Sequence, residues 1–588
     1  MEQYRVPSTP RLGGDWLVRE TLPAEILTPE ALGDDHRLVG RTAAEFVTRE
    51  VDPALDALEH KDWTVARTLV RRACELGLVG ADVPEQYGGA GLDKAAAVVI
   101  ADVLGASASF SMAFGAQTNL TLLPILAFGT DAQRERYLPA LLSGAMIGAY
   151  CLSESGAGSD AQSVRTRATR DADGSWRLSG EKMWITNGGF ADLFLVFAKV
   201  DGEHFTAFIV ERAFPGVANG HEEHKMGLHG SSTTPIVLTD ARVPAENVLG
   251  EIGRGHKIAF NVLNGGRLKL GATCMGAAKA AIAEAAAYAT ARRQFGQPIA
   301  SFGAIQDKLG AMAIRAFGVE SALFRVAGLV DASATAAGSD EPDAGIRALE
   351  EFALEASLLK IAGSEMLDFV VDEHVQVLGG NGFVREYPAE RRYRDARVNR
   401  IFEGTNEINR LLVPGLWLKR AARHRWAIDE IDGPALAATG AHPPDELAVA
   451  ADAARRLGTA TRTIVAAAAR AFGDTLATEQ QVTMGLADLL LMTFVAESAT
   501  LRAAHASAID VPAAQSGGLR AAALAIAAEH AAAAALTART AIAALPAGPD
   551  RDRALAAARP LLETPLADTN ALRRQVAALV TAARQYPF

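Results

Sequence analysis

A block of short runs rich in β-formers interrupts a chain that otherwise carries helical patterns. Runs such as "ADLFLVFAKV" and "HFTAFIVE", separated by Gly, Asp and Asn, predict the strands of a compact β domain over residues 147–255. Apolar residues at helical spacing fill residues 38–146 and resume after the β block. Because single hydrophobic cores stop growing at roughly 250–300 residues, a chain of 588 residues with this α, β, α order must fold as several domains.

The pattern predicts a mainly α fold with a central β domain. The run from Phe260 to Gly296 is expected to form two or three helices, and residues 346–378 one long helix. An Ala-dominated region beyond Trp417 predicts an added helical domain. The predicted segments are an N-terminal extension at 1–37, a helical domain at 38–146, the β domain at 147–255, a helical bundle at 256–416 and the additional helical domain at 417–588.

Charge and cysteine usage limit the classes of partner and compartment. The formal net charge is −11, whereas a general nucleic-acid binder needs a basic face, so no nucleic acid is expected as a partner. Cys74, Cys151 and Cys274 lie far apart and form no C-x-x-C pair, which favours a reducing compartment. The N-terminus "MEQYRVPSTPRLGGDW" lacks the apolar core of a signal peptide, so we expect a cytoplasmic protein.

Two small-residue motifs stand at the edges of the β domain. In "CLSESGAGSD", Gly156 and Gly158 allow a close approach of the backbone to a ligand, and Ser153 and Ser159 offer hydroxyl groups. "WITNGG" adds the hydroxyl of Thr186. Neither motif is the G-x-G-x-x-G fingerprint of a Rossmann fold. Taken singly, each is equally well explained as a simple turn.

Two further motifs have plain structural explanations. "HEEH" at 221–224 lies in a connection bounded by Gly and Pro and has no evident third ligand, so a solvated loop is favoured and no metal site is predicted. In "RRQFG", Arg292 and Arg293 come near the end of a long helical pattern, where positive charge favours the helix dipole.

The stretch "RVNRIFEGTNEINR" carries one carboxylate, Glu403, between an aromatic residue and a glycine. Gly costs roughly 1 kcal/mol in a helix interior relative to Ala, so the pair Glu403–Gly404 predicts a turn ahead of a new helix. Residue type alone indicates a cap or a loop there. A functional role needs support from the rest of the chain.

That support comes from six motifs that occur in one order: "AYCLSESGAGSD", "GEKMWITNGG", "KMGLHGSSTTPIVLTDARVP", "RRQFGQPIASFGAIQDKL", "VQVLGGNGF" and "YRDARVNRIFEGTNEINR". In this order they resemble the acyl-CoA dehydrogenase family, from about residue 40 to 415. The extra C-terminal region is most similar to the very-long-chain branch. The resemblance implies an N-terminal helical domain, a middle β-barrel and a C-terminal four-helix bundle, followed here by the added helical domain.

The resemblance implies a reaction and its base. The family dehydrogenates fatty acyl-CoA thioesters to trans-2-enoyl-CoA in β-oxidation, with FAD taking a hydride equivalent at flavin N5. The match to "FEGT" implies that Glu403 removes the α-proton. Some members carry the base on another helix, where this chain has Gly265 and Gly266 and no acid. Arg267 and Gly404 match positions at the substrate site.

The resemblance also assigns residues to the flavin. Ser153, Ser159, Trp184, Thr186 and Thr405 match FAD contacts within one subunit. Other positions match contacts to the FAD of a neighbouring subunit, which implies an oligomer: Arg292, Phe295, Gln376, Gly379 and Gly380. We expect a homodimer, because the added helices occupy the place where a second dimer docks in shorter members.

Several alternatives stay open. Electron-transfer flavoprotein is the acceptor implied by the resemblance. An acyl-CoA oxidase, which reduces oxygen, resembles this family but is usually longer and diverges from these motifs. An assembly partner of respiratory complexes is a third alternative, although the intact base and flavin motifs argue against assembly as the sole role. Long-chain substrates are predicted from the small residues Ala113, Gly115 and Ala116, which close helix packing would explain as well. The basic segment "LWLKRAARHRW" (416–426) fits either a solvated helix end or peripheral contact with an anionic membrane. His229 stands where Arg or Lys is usual.

Overall fold

The computed structural model describes residues 11–338, 341–424, 426, 445–509, 511–564 and 566–588. These residues form two compact units. Unit 1 is made of the described residues within Met1–Leu32, Ala277–Ala332 and Glu351–Phe588, and unit 2 of those within Gly33–Gly276 and Ser333–Glu350. The first described residues of the chain therefore fold together with the last ones.

The N-terminal part of unit 2 is helical, and side-chain caps mark where its helices begin. Asp62 accepts hydrogen bonds from the backbone N–H groups of Thr64 and Val65, and Thr130 forms a capping box with Gln133. These caps satisfy N–H groups that have no partner within the helix. The helices are α1 (Asp34–Phe46), α2 (Leu55–Glu59), α3 (Trp63–Glu75), α4 (Lys94–Leu104), α5 (Ala108–Gly115), α6 (Leu123–Phe128) and α7 (Asp131–Leu142).

A sheet of eight strands forms the middle part of unit 2. The strands are β1 (Gly148–Cys151), β2 (Arg167–Arg170), β3 (Trp176–Thr186), β4 (Leu193–Val200), β5 (His204–Glu211), β6 (Val217–Asn219), β7 (Thr233–Val243) and β8 (Val248–Leu249). They are hydrogen-bonded in the order β6-β7-β3-β2-β4-β5-β8, and β1 pairs with β4. Every residue of β4 except Lys199 is buried, which explains its continuous apolar run, because a strand covered on both faces has no solvent side.

A single helix, α8 (Gly255–Ala291), takes the place of the two or three helices expected between Phe260 and Gly296. The expectation was wrong because a glycine costs only about 1 kcal/mol within a helix, which buried packing offsets. A Cβ atom on Gly276 would lie 1.6 Å from the carbonyl oxygen of Asp102, so this glycine lets α8 approach α4 closely. After α8 come a short hairpin and a long helix, β9 (Arg293–Gln294), β10 (Gln297–Pro298) and α9 (Gly303–Ala337).

The helix expected over residues 346–378 is divided into α10 (Ala344–Glu351) and α11 (Ala353–Leu378). Phe352 separates them with φ −100° and ψ 28°, which is outside helical geometry. The break coincides with the passage of the chain from unit 2 to unit 1. Neither Gly nor Pro marks this position, so periodicity alone predicts one continuous helix.

The remaining helices all belong to unit 1. They are α12 (Ala389–Ala396), α13 (Asn406–His424), α14 (Glu446–Phe472), α15 (Gln480–Ala508), α16 (Ala513–Ala543), α17 (Pro549–Leu562) and α18 (Thr569–Ala583). By length and composition, α15 and α16 are apolar enough to cross a membrane, but 72% and 61% of their most apolar windows are buried inside the protein. The two helices pack against each other and against α14, as core helices do.

A cluster of buried charges joins distant parts of unit 1. Arg502 on α15 is fully buried and donates hydrogen bonds to Glu30 and to Glu320 of α9, each at 2.7 Å. Glu320 also accepts from Lys279 and from the hydroxyl of Tyr586, again at 2.7 Å. Burial alone would raise the pKa of Glu320, but the charges of Lys279 and Arg502 lower it to about 2. We call these five residues the Arg502 cluster.

A buried carboxyl on α11 also holds the N-terminal segment. Glu355 Oε1 accepts hydrogen bonds from the backbone N–H of Gly14 at 2.6 Å and from Nε1 of Trp16 at 3.0 Å. The Glu355 side chain is fully buried, and burial raises its pKa to about 7. The folded protein therefore keeps this proton to a higher pH than the unfolded chain does.

Replacing Glu355 by Gln is expected to remove one pH-dependent loss of stability. The folded state binds this proton more tightly than the unfolded chain, in which the pKa is near 4.5. The parent should therefore lose up to about 3 kcal/mol as the pH rises from about 4.5 to about 7, whereas Gln keeps the acceptor and does not ionise. Guanidinium unfolding of both proteins across this pH range measures the effect. Two parallel pH profiles would contradict the prediction.

Candidate functional site

The predicted site residues are divided between the two units. Unit 2 carries Ser153, Ser159, Trp184, Thr186 and Arg267. Unit 1 carries the remaining ones: Arg292, Phe295, Gln376, Gly379, Gly380, Glu403, Gly404 and Thr405.

Trp184 has a strained backbone at an exposed position. Its φ is 56°, in the left-handed region, and the register between β3 and β7 shifts between Lys182 and Ile185. The indole is 58% exposed. A non-glycine residue in this conformation costs roughly 1–3 kcal/mol and persists where the surrounding structure holds it, as functional sites often do. The flat exposed indole fits the prediction that a flavin ring lies against this side chain.

The loop that carries Ser153 is fixed to β3. The backbone N–H of Met183 donates to the carbonyl oxygen of Ser153 at 2.9 Å, which places Ser153 beside the strand residue that precedes Trp184. Beyond it, Gly156 and Gly158 are exposed, and a Cβ atom on either would meet nothing within 4 Å. The open space above these glycines fits a ligand that approaches the backbone closely.

A buried ion pair between Lys182 and Glu154 holds the loop that carries Ser153 against β3. Lys182 Nζ is fully buried and donates to Glu154 Oε1 at 2.7 Å and to the carbonyl oxygen of Leu152 at 3.1 Å. Glu154 also accepts from the backbone N–H groups of Arg165 and Thr166. Burial alone would raise the pKa of Glu154, but the hydrogen bonds from Lys182 and Thr166 hold it below its usual range. The sequence alone did not identify this pair, although Glu154 lies within "CLSESGAGSD" and Lys182 within "GEKMWITNGG".

Asn187 connects the end of β3 to the helical part of unit 2. Its φ is 63°, and its Nδ2 donates to the carbonyl oxygens of Ala113 at 3.1 Å and Gly148 at 3.2 Å. Thr186, the neighbouring predicted flavin contact, is half-buried. The residues predicted to meet the flavin and the helix predicted to meet the acyl chain are therefore joined by one buried amide.

Arg267 lies on α8 and is buried, with Nη1 donating to Asn264 Oδ1 at 3.1 Å. The structure also explains the glycine at the alternative base position. A Cβ atom on Gly265 would lie 2.6 Å from Asn119 Oδ1, and Asn119 is fixed by a hydrogen bond to the carbonyl oxygen of Val262. A carboxylate side chain therefore has no room at Gly265.

Glu403 occupies a tight turn between the 3₁₀ segment Arg397–Arg400 and α13. Its φ is 58° and that of Gly404 is 80°, so the predicted turn is present and places a non-glycine residue in the left-handed region. The side chain of Glu403 is half-buried. Strain at a carboxylate in a turn indicates a constraint beyond that of a simple loop.

Asn409 holds the turn from the first part of α13. Its Nδ2 donates to the carbonyl oxygens of Gly404 at 2.8 Å and Thr405 at 3.0 Å, and approaches that of Glu403 at 3.5 Å. Thr405 Oγ1 accepts from the backbone N–H of Ile408 and so caps the helix. The role of Asn409 could not be recognised from the sequence, because an amide in a helix is ordinarily a surface residue.

The residues predicted to reach the flavin of a neighbouring subunit share one property. All of them are exposed, and Phe295 is 93% exposed in the turn between β9 and β10, with φ 50°. Gly379 ends α11 with φ 60°. The nearby Phe383 is 85% exposed. The exposed residues are Arg292, Phe295, Gln376, Gly379 and Gly380.

Glu222, within the "HEEH" motif at 221–224, and the nearby His229 both make contacts in the connection that leads into β7. Glu222 accepts hydrogen bonds from Ser232 Oγ at 2.6 Å and from the backbone N–H of Thr233 at 2.9 Å. His229 has its Nδ1 3.6 Å from Glu59 Oε2 and its Nε2 2.9 Å from the carbonyl oxygen of Lys225. Both residues therefore stabilise the connection that leads into β7.

Four family models match the chain. The N-terminal, middle and C-terminal domains of acyl-CoA dehydrogenase match residues 33–145, 149–241 and 253–414. A second acyl-CoA dehydrogenase C-terminal domain matches residues 460–559, within the added helices.

Known proteins agree with these models. A probable acyl-CoA dehydrogenase of Bacillus subtilis is 42% identical over 510 residues, which cover 84% of this chain and 85% of the relative. The mitochondrial very long-chain specific enzyme of Rattus norvegicus is 41% identical over 388 residues, 64% of this chain but only 56% of the relative. A crystal structure of an acyl-CoA dehydrogenase complexed with FAD from Bacillus anthracis superposes with a TM-score of 0.95 at 38% identity, covering 98% of this chain and 100% of that one.

The predicted family, fold class and cofactor are confirmed by these matches. The fold contains the N-terminal helical, middle β and C-terminal helical domains of the family and the extra C-terminal domain. The exposed indole of Trp184 and the open glycines of its neighbouring loop fit an FAD-binding protein. The chain belongs to the acyl-CoA dehydrogenase family and is an FAD-dependent oxidoreductase.

Proposed function

We propose that the protein oxidises the Cα–Cβ bond of fatty acyl-CoA thioesters to the trans-2-enoyl-CoA, with Glu403 as the base that removes the α-proton. The observation that carries this proposal is the conformation of the Glu403 turn. A left-handed backbone, fixed by Asn409, presents a half-buried carboxylate. Substrate that enters would exclude water from this carboxylate and raise its basicity. Gly265 and Gly266 carry no carboxylate at the alternative base position on α8.

The remaining site residues have binding functions in this proposal. When bound, FAD supplies the acceptor for the hydride equivalent from Cβ at flavin N5. Trp184 would lie against the flavin ring, and Ser153, Ser159, Thr186 and Thr405 would hold its polar edge and pyrophosphate. Arg267 and Gly404 would position the substrate thioester. Electron-transfer flavoprotein is the proposed electron acceptor.

A long acyl chain is the proposed substrate. The carbonyl oxygen of Ala113 accepts a hydrogen bond from Asn187 Nδ2 at 3.1 Å, and a π-helical segment, Ala116–Leu122, follows α5. A Cβ atom on Gly115 would meet nothing within 4 Å, so this glycine is not required for close helix packing. The space beside Gly115 favours a ligand at that position, whereas Ala113 and Ala116 are buried in the protein. Each additional buried CH₂ contributes about 0.8 kcal/mol, which rewards longer chains.

A homodimer in the cytoplasm is the proposed state of the protein. The almost fully exposed rings of Phe295 and Phe383 support an oligomer, because large apolar side chains at such exposure are typical of association surfaces. In the basic segment 416–426, Trp417 is fully buried and its Nε1 donates to the carbonyl oxygen of Gly14. This contact favours the helix-end interpretation over membrane contact. Arg425 of this segment lies outside the described residues.

A panel of straight-chain acyl-CoAs from C4 to C20 tests the proposed reaction. Under anaerobic conditions the protein is expected to reduce an artificial dye, with a maximum of kcat/KM above C8. In air, little hydrogen peroxide is expected, since an oxidase would release it in proportion to turnover. A maximum at or below C8 would refute the long-chain proposal, and stoichiometric peroxide would establish the oxidase alternative instead.

A further inference from the structure

The added helical domain contributes a carboxylate to the segment that follows the proposed base. Arg410, on α13, donates from Nη1 and Nη2 to both carboxylate oxygens of Glu365 on α11, at 2.7 and 2.9 Å. Its Nε donates to Asp488 Oδ1 on α15 at 2.7 Å. The side chain of Arg410 is only 12% exposed. One guanidinium thus bridges α11 of the family fold and α15 of the added domain.

The same end of α13 is held to α11 by a second group of contacts. Asn406 Oδ1 accepts from Lys360 Nζ at 2.6 Å, and its Nδ2 donates to Ser364 Oγ and to Glu365 Oε1, both at 3.0 Å. Lys360 and Ser364 are fully buried. The contacts of Asn406 all lead to α11, whereas Arg410 joins this end of α13 to α15 of the added domain through Asp488.

The position of this helix end determines the position of the base. Asn409 is adjacent to Arg410 and holds the carbonyl oxygens of the turn that contains Glu403. A shift of α13 would therefore be transmitted to the Glu403 backbone. We propose that Asp488 is a positioning residue for Glu403, acting through Arg410, so that the added domain takes part in setting the geometry of proton removal. The proposal rests on the function of Glu403 proposed above.

The electrostatic environment agrees with a restraint that depends on charge. Burial alone would raise the pKa of Glu365, but the hydrogen bonds from Arg410 hold it below its usual range. Burial raises the pKa of Asp488, against the charge of Arg410. A charge-assisted hydrogen bond is about twice as strong as a neutral one, so loss of the Asp488 charge weakens the bridge even where the hydrogen bond remains.

The test compares Asp488→Asn with the parent as full-length holoenzymes. Single-turnover flavin reduction by a saturating long-chain acyl-CoA is expected to fall about tenfold, as for other residues that orient a reacting group indirectly. FAD content and the Kd of the substrate should stay unchanged. Amide hydrogen exchange in residues 401–410 should become faster. Asp488→Glu, which keeps the charge, is expected to recover the rate to within about threefold of the parent.

Asp307→Asn is the matched control. Asp307 accepts from Arg573 at 2.8 Å, and Arg573 also donates to Glu529 at 2.8 Å, so this arginine likewise bridges two carboxylates in unit 1. The control should leave both flavin reduction and exchange in residues 401–410 unchanged. Equal losses in Asp307→Asn and Asp488→Asn would overturn the proposal, as would an Asp488→Asn rate within about twofold of the parent.

Loss of FAD from Asp488→Asn and absence of flavin reduction in the parent can each be distinguished from failure of the proposal. If Asp488→Asn does not retain FAD, Arg410→Lys takes its place, since it keeps the charge but loses the planar fork. The same tenfold fall would then support the proposal, and a parental rate would overturn it. If the parent itself shows no flavin reduction with any acyl-CoA, the proposed function fails. Hydrogen exchange in residues 401–410 still decides whether Asp488 restrains the turn: faster exchange supports the restraint, and unchanged exchange overturns it.

Discussion

Flavin reduction by acyl-CoA is expected to slow by about 10²–10⁴-fold when Glu403 is replaced by Gln, while FAD stays bound. Gln has nearly the same shape as Glu and preserves the turn that Asn409 holds, but it cannot accept the α-proton. No carboxylate is present at the alternative base position, where the chain has Gly265 and Gly266. Single-turnover bleaching of the flavin absorbance, with a substrate that the parent oxidises well, measures the effect.

Glu407→Gln is the control for this experiment. Glu407 lies four residues after Glu403, on the exposed side of α13, so the same Glu-to-Gln change can be made there. Its replacement should leave bleaching within about twofold of the parent, because Glu407 is exposed and Gln can keep the hydrogen bond to Thr405. If Glu403→Gln bleaches within a few-fold of the parent, another group is the base. The absorbance spectrum before substrate addition shows whether each variant retains FAD.

Replacing Arg502 by Met should lower the free energy of unfolding by about 3–5 kcal/mol, the range found when one partner of a buried ion pair is removed. The change leaves Glu30 and Glu320 buried without the cation that both contact at 2.7 Å. It also removes the stacking of the guanidinium over the ring of Phe317, 4.8 Å from its centroid. The midpoint of guanidinium unfolding, followed by far-ultraviolet circular dichroism, should fall accordingly.

Arg553→Met provides the comparison for this prediction. The Arg553 side chain is 57% exposed and pairs with Asp550 at 2.6 Å on the surface of α17. Exposed ion pairs contribute little, so its replacement should change the free energy of unfolding by less than about 1 kcal/mol. Equal midpoints for the two variants would show that the Arg502 cluster does not stabilise unit 1.

The order of helical and β segments could be predicted because periodicity is a local property of the sequence. The same local reasoning failed at α8, where several glycines indicated helix ends, because the compensating contact between Gly276 and Asp102 is far away in the chain. It also failed at Phe352, where the break coincides with the passage of the chain between units and no helix-breaking residue marks it.

The base could be identified from the sequence only through the resemblance, since a lone Glu in a turn has many explanations. The residues that support the site were not found, for a physical reason. Lys182 and Glu154 are 28 residues apart, and Arg410 and Asp488 are 78 apart. Each pair is recognisable only once the fold has brought the charges together, because isolated charged residues in a sequence are ordinarily solvent-exposed.

The contacts of Tyr586 and Phe588 with α9 constrain the order in which unit 1 can fold during translation. Tyr586 donates to Glu320, and the ring of Phe588 packs on Phe317 with centroids 5.1 Å apart. During translation, the segment Gly33–Gly276 of unit 2 can pack early, and the second segment of this unit, Ser333–Glu350, is also made while α9 still lacks these partners. The side of α9 that carries Glu320 and Phe317 therefore stays uncovered until residues as far as Phe588 have been synthesised. An insertion next to Phe588 is expected to disturb this late folding step more than an insertion in an exposed turn of unit 2.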